Sequence, residues 1–323
     1  MILVAGSANL DFVIRAPHIP APGETVLGTG FKTFAGGKGA NQAIACARAG
    51  GVATSLLLGL GRDTFAEPIE ASLHAAGVVL HVHRCENLPT GTAFICVADD
   101  AENAITVAPG ANSALRAEHL PDLQGVEYLL VQLETPLETV AAYAEAAHAA
   151  GVKVVLNAAP AQTLPSWLLA HVDVLLVNKG ELATISQCSG SVMSCLAKLP
   201  DVPCIVVTLG GQGCCARIAG EIILQRAFAI TPVDTTAAGD TFCGVLVASL
   251  ARHHSLAEAL ERASAAAALA CLQPGAQDSI PTFTEVEQFL SAQLANAAAN
   301  AEAIAEATAK LKTFAGFPPE HSS

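Results

Sequence analysis

The sequence predicts an α/β protein: a mostly parallel sheet with helices on both faces and a smaller sheet beside it. Three observations carry this. Apolar runs such as VDVLLVN and PCIVVTLG are continuous, as in strands buried on both sides. Helical patterns separate these runs, so strand and helix alternate along the chain. Polar and Gly-rich clusters follow the runs, and open parallel sheets gather ligands at the carboxyl ends of their strands.

Taken in order, MILVAG (Met1–Gly6) reads as the first strand. The stretch 12–34, FVIRAPHIPAPGETVLGTGFKTF, breaks the pattern with alternating residues around Pro and Gly turns. ANQAIACARAG (Ala40–Gly50) reads as a helix closed by glycine. VATSLLLGLG is a strand, and FAEPIEASLHAAGV a helix with Pro68 near its start, where proline is tolerated. The stretch 90–107, TGTAFICVADDAENAITV, alternates like 12–34. Together they predict antiparallel strands in a small separate sheet, either a lid over a site or a surface hairpin.

VEYLLVQLE is the next strand and LETVAAYAEAAHAAGV a helix ending at Gly151. KVVLNAAP, VDVLLVN and PCIVVTLG are further strands. GDTFCGVLVASLARH and SLAEALERASAAAALACL are helices. The main domain is expected over 1–292. The remainder, 293–323, is Ala-rich, helix-prone and short of apolar bulk, and reads as an appended surface helix stopped by Pro318 and Pro319.

The 323 residues are 52% hydrophobic, enough for a large core. A formal charge of −13 without any Lys/Arg run argues against nucleic acid and anionic membrane surfaces. No apolar stretch approaches the roughly 20 residues of a membrane span. The start lacks a basic region and meets Asp11 early, so it reads as a strand and not a signal peptide. Ten cysteines without C-x-x-C spacing read as reduced, buried residues of a cytoplasmic protein. His81 and His83 can share a strand face but lack a third metal ligand.

Several clusters could carry chemistry. AGGKGANQA (Ala35–Ala43) is Gly-rich, which lets backbone N–H groups approach a ligand. It is not a Walker A loop, because Gly39 follows Lys38 where Ser or Thr is needed and Lys32 stands at the first glycine. GQGCCA (Gly211–Ala216) fits a dinucleotide fingerprint on paper, but RIAGEIILQ after it reads as strand. In VDTTAAGDTFCG (Val233–Gly244), Asp240 stands where a helix begins, either as a cap or as a reactive carboxylate.

In order, the clusters are GSANLD (Gly6–Asp11), GGKGAN, PGAN (Pro109–Asn112), QLE (Gln132–Glu134), NAAPA, NKGE (Asn178–Glu181), TLGGQG (Thr208–Gly213) and DTTAAGD. This order resembles the ribokinase-like (PfkB) family of carbohydrate and nucleoside kinases, and its ribokinase branch most closely. The resemblance runs from Met1 to about Pro281.

The resemblance implies a three-layer αβα sandwich with a β-sheet lid, and phosphoryl transfer from ATP to a sugar, D-ribose at its 5-hydroxyl. Asp240 would be the base, with the N–H groups of Ala237, Ala238 and Gly239 as an anion hole. Most members have Gly where this chain has Ala237, which requires a negative φ there. Asn9, Asp11, Gly37, Lys38, Gly39, Asn41 and Glu134 would hold the sugar. Asn178, Thr208, Leu209, Gly210, Gly211, Gln212, Gly213 and Gly239 would line the ATP site, with Ser264 near the adenine.

Glu181 would hold Mg²⁺ through water. Asp234, Thr236, Ala270, Gln273, Gly275 and Ser279 would enclose K⁺ behind the anion hole, with Pro274 departing from the usual pattern. The partners implied are the sugar, ATP and a second copy of the chain, paired through the lid. A nucleoside or another sugar is the alternative substrate. Few aromatic residues, 4% of the chain, are available to face a base.

Overall fold

The computed structural model describes residues 1–100, 102–296 and 301–317. The opening run MILVAG is β1 (Ile2–Ala5) of the main sheet, and β2 (Asn9–Ala16), in the small sheet, follows it. β3 (Gly30–Gly36) leads to α1 (Lys38–Ile44), which continues as a wider π-type turn over Ala45–Ala49. This helix starts at Lys38, not Ala40, because Gly37 turns the chain at φ 91°. Then come β4 (Thr54–Gly61), α2 (Ala66–Ala75), β5 (Val79–Cys85), β6 (Gly91–Ala98) and β7 (Asn103–Ala108).

The second half runs β8 (Tyr128–Val131), α3 (Leu137–Ala149), β9 (Lys153–Asn157), α4 (Ser166–Leu169), β10 (Val174–Asn178) and α5 (Lys179–Ser186). α6 (Val192–Leu196), β11 (Cys204–Thr208), β12 (Gly213–Ile218) and β13 (Glu221–Arg226) follow. Four helices close the chain: α7 (Ala238–Ala251), α8 (Leu256–Ala270), α9 (Phe283–Asn296) and α10 (Ala301–Ala315).

The main sheet has the order β13-β12-β11-β10-β9-β8-β1-β4-β5, parallel from β11 to β5 with an antiparallel hairpin at the β13 edge. RIAGEIILQ therefore lies in that hairpin and not in a nucleotide-binding helix. Alternate residues of each strand enter opposite cores. Ile2 and Val4 join α1, α2, α7, α8 and α9, while Leu3 and Ala5 join α3, α4, α5 and α6. This is the predicted αβα sandwich. The chain leaves β1 towards β4 on one side and β8 on the other, which opens a crevice at the carboxyl ends of β1 and β8.

The small sheet has the order β3-β2-β6-β7. Its outer pairs are antiparallel, but β2 and β6 are parallel, with Asn9 opposite Gly91. The expectation of purely antiparallel strands fails there, because β2 and β6 each enter the sheet from the body in the same direction. β2 starts at Asn9 and so extends the lid inward from the stretch 12–34.

The C-terminal helix is more than an appendage. Leu311 and Ala315 are fully buried in the core that holds α5 and α6. α10 packs on β12 and β13, and its Phe314 ring lies 4.4 Å from the Lys179 ammonium. The expected boundary at 292/293 falls inside α9. The predicted stop at Pro318 and Pro319 lies outside the described residues.

Candidate active site

Asp240 stands in the first turn of α7, but it does not cap that helix. Its Oδ2 accepts from Asn41 Nδ2 at 3.0 Å and its Oδ1 from Gln42 Nε2 at 2.9 Å. Both donors come from α1, so the carboxylate is fixed across two helices. Gln42 also donates to Asn157 Oδ1 at 2.9 Å and accepts from Gln132 Nε2 at 2.7 Å. A buried chain of amides thus links the ends of β8 and β9 to Asp240. Sequence reasoning missed Gln42 and Asn157 as site residues. Their signal was present, since both fall within the quoted clusters AGGKGANQA and NAAPA.

Asp240 borders a cleft of about 190 Å³ with Lys38, Asn157, Asn178, Glu181, Thr208, Ala237 and Gly239. These residues come from the carboxyl ends of β9, β10 and β11 and from the starts of α1, α5 and α7. The Lys38 ammonium is held above its usual range, chiefly by Asp240 and further by Glu134 and Glu181, against the opposing effect of burial.

A second polar group opens from β1, β2 and β8. Asn9 Oδ1 accepts from Asn112 Nδ2 at 2.8 Å, and Asn112 also pairs with the Ala8 backbone. Glu134 accepts from the Lys38 N–H at 3.1 Å and from the Ser7 hydroxyl. Asn41 Oδ1 accepts from Gln277 at 3.1 Å. Burial pushes Asp11 from 3.8 up to about 7, with the charges of Glu134 and Asp240 adding to the rise. Gly39 packs so tightly that a Cβ would sit 2.6 Å from the backbone of Gly6 and Ser7.

On the other side of Asp240, Asn178 and Glu181 form a reciprocal cap of α5. Asn178 Oδ1 accepts from the Glu181 N–H at 2.8 Å, and Glu181 Oε2 from the Asn178 N–H at 2.7 Å. Burial pushes the Glu181 carboxyl up. The N-x-x-E spacing therefore has a structural role in its own right. After β11, the Leu209 N–H donates to Gly213 O at 2.8 Å, so Gly210, Gly211 and Gln212 form an exposed single turn beside Thr208.

Two expectations change. Ala237 has φ 57°, in the left-handed region, not the negative φ expected of it. The tight entry into α7 demands this turn, and Ala meets it at a cost of about 1–2 kcal/mol. The Ala238 N–H donates to Thr235 O at 3.3 Å. Ser264 is buried against β12, its hydroxyl 3.9 Å from Cys214 Sγ, and does not line the cleft.

Behind α7, Asp234 ties two segments together. Its Oδ2 accepts from the Gly275 N–H at 2.9 Å and its Oδ1 from Thr236 N–H and hydroxyl at 2.9 and 2.6 Å. Although burial raises it, these bonds hold the Asp234 carboxyl below its usual range. The Val233 N–H bonds Cys271 O, and Ser279 donates to Ala276 O. These bonds bring Gly275 and the end of α8, at Ala270 and Cys271, beside Asp234, while Gln273 bonds back to Ala270 O and Ser279 to Ala276 O.

Among the described residues, no group of three or more His, Cys, Asp or Glu could hold a metal ion by itself. His83 stacks on His119 with ring centres 3.7 Å apart. Asp240 and Glu181 bring oxygen donors to one cleft, the type a hard divalent cation takes alongside water and phosphate. No helix among the described residues is long and apolar enough to cross a membrane.

Comparison with known proteins shows the family and the fold. The pfkB family carbohydrate kinase pattern matches residues 1–283. A ribokinase of Haemophilus influenzae is 37% identical over 300 residues, spanning 90% of this chain and 98% of that protein. A ribokinase structure from Thermotoga maritima superposes with TM-score 0.83 at 33% identity, covering 90% of this chain and 99% of that one. An Arabidopsis thaliana ribokinase complexed with ribose and ATP gives TM-score 0.83 at 32% identity, covering 90% and 98%. The chain belongs to the pfkB family of carbohydrate kinases, enzymes that transfer a phosphoryl group to an alcohol.

Proposed function

We propose that this kinase uses ATP to phosphorylate the 5-hydroxyl of D-ribose, with Asp240 as the proton acceptor. The observation that carries the reading is the position of Asp240. It is clamped by Asn41 and Gln42 between a polar group (Asn9, Asp11, Glu134) and the Asn178–Thr208 side of the cleft. Carboxylate acceptors and amide donors suit the hydroxyls of a small neutral sugar.

Phosphoryl transfer needs alignment, charge stabilisation and a proton acceptor. Asn9, Asp11, Asn41 and Glu134, with the Gly37–Gly39 loop, orient the sugar hydroxyl towards Asp240 Oδ. Asp240 takes its proton as the oxygen attacks the γ-phosphorus. The first turn of α7, from Ala237 to Gly239, and the Lys38 ammonium meet the charge on the transferred group. Thr208 and the Gly210–Gly213 turn line the nucleotide. Glu181 and Asn178 would hold Mg²⁺ through water, and the ion would supply charge neutralisation at the phosphates. The oxygens around Asp234 would hold K⁺ and stiffen the entry to α7.

The second copy would pair through the lid. One face of the lid exposes Ile14 (41%), Phe31 (63%) and Phe94 (54%), apolar side chains that a partner would cover. We place the protein in the cytoplasm, in keeping with ten free cysteines.

The test is ADP release with ATP and Mg²⁺ over a panel of sugars and nucleosides, in K⁺ or Na⁺. Turnover confined to D-ribose, raised by K⁺, supports the proposal. Turnover on nucleosides or another sugar overturns the substrate while keeping the chemistry.

A further inference from the structure

The segment from the end of α5 through α6 carries two cysteines of unlike character. Cys195, in α6, is buried, and its thiol donates to the Cys188 carbonyl at 3.1 Å. Cys188 follows the left-handed Gln187 that ends α5, and it is partly exposed. The side chain of Cys188 closes around Gly190, where an added Cβ would lie 3.5 Å from its sulfur. Cys195 Sγ approaches the same glycine, 3.9 Å from Gly190 O. The two sulfurs thus flank Gly190 within one short turn of chain.

We propose that Cys188 and Cys195 form a peroxide-sensitive dithiol centre that closes to a disulfide. The Cys188 thiol is held below its usual range, first by the Gly190 N–H and then by the Cys195 thiol, with Lys198 adding its charge. Burial pushes up every other cysteine whose shift is resolved, from Cys46 to Cys271. The thiolate is the nucleophile, so Cys188 is the site that reacts first.

The chemistry balances with hydrogen peroxide as oxidant. The Cys188 thiolate attacks one peroxide oxygen, the O–O bond breaks, and a sulfenic acid and hydroxide form. Cys195 sulfur then attacks the Cys188 sulfur and displaces its hydroxyl, which leaves as water with the Cys195 proton. The proton that Cys188 lost on ionisation neutralises the hydroxide. A hollow of about 430 Å³ bounded by Lys179, Gly180, Ser189, Gly190 and Cys195 adjoins the pair on the Cys195 side. None of this depends on the sugar assigned above.

The sequence supplies a direct readout. Trypsin cuts after Lys179 and Lys198, so both cysteines fall in one peptide, 180–198. The folded wild-type protein is treated with stoichiometric peroxide, then alkylated and digested. The expected result is that this peptide loses two hydrogen atoms and both alkylation sites, and regains them with dithiothreitol. In C195S, Cys188 is expected to accumulate as a dimedone-reactive sulfenic acid. In C188S, Cys195 stays reduced. A wild-type peptide that stays fully alkylated, or that gains only oxygen on Cys188, overturns the proposal. So does oxidation of Cys96 or Cys271 ahead of Cys188.

Discussion

Gln42 Nε2 lies 2.9 Å from Asp240 Oδ1 and the same 2.9 Å from Asn157 Oδ1. One amide therefore ties the carboxylate on α7 to the end of β9, and its own oxygen is held by Gln132. A carboxylate fixed from behind keeps its remaining lone pairs free, as the proposed base needs. Asp240→Asn is expected to lower kcat by about 10²–10⁴-fold, because the amide cannot accept the proton. Gln42→Leu should lower kcat less and also destabilise the fold by about 1–3 kcal/mol, since Gln132 and Asn157 lose a buried partner. Steady-state rates and urea unfolding of the two variants separate these effects.

Asp11 gives a pH dependence with a definite sign. Its carboxyl titrates at about 7 in the folded chain, above the ordinary 3.8, mainly through burial. Between those values the folded chain holds a proton that the unfolded chain has lost. Stability of the ligand-free protein should therefore fall as pH rises through that window. In the proposed site, sugar binding would run the other way, because the charged carboxylate accepts hydrogen bonds from hydroxyls. The sugar KM is expected to fall as pH rises through about 7. Asp11→Asn should remove both trends, in thermal melts and in KM profiles.

Gly39 lies where β1 ends against the start of α1. Gly39→Ala puts a methyl 2.6 Å from the Gly6 and Ser7 backbone and must displace the loop. The sugar KM is expected to rise at least about tenfold, with a stability loss of about 1–3 kcal/mol from the overpacking. Sugar KM measured beside the melting temperature tests it.

Ala237→Gly probes the turn into α7. The left-handed φ of 57° costs alanine about 1–2 kcal/mol, while glycine loses roughly 0.5–1 kcal/mol of unfolded-state freedom. The variant is expected to gain up to about 1 kcal/mol in denaturant unfolding.

The last helix should matter for stability. Leu311→Ala removes a fully buried side chain from the core shared with α5. A loss of about 2–5 kcal/mol is expected in urea unfolding, with kcat near wild type. An unchanged midpoint would show α10 to be a surface appendage after all.

The alternation of buried strands and helices was legible in the sequence because continuous apolar runs such as those of β10 and β11 have no other stable home than a covered parallel sheet. The order of polar clusters placed Asn9, Lys38, Glu134, Asn178 and Asp240 near one face, because chemistry collects at strand carboxyl ends. Tertiary structure decided the rest. Periodicity gives residue spacing but not strand direction, so the parallel pairing of β2 with β6 could not be read from 12–34 and 90–107. Residue type gives donor capacity but not partner, so only the packing of α1 on α7 showed that Gln42 and Asn41 grip Asp240, settling that it is no cap. The burial of Leu311 and Ala315 likewise arises from the face of the β12–β13 hairpin that α10 covers, which the Ala-rich tail itself does not announce.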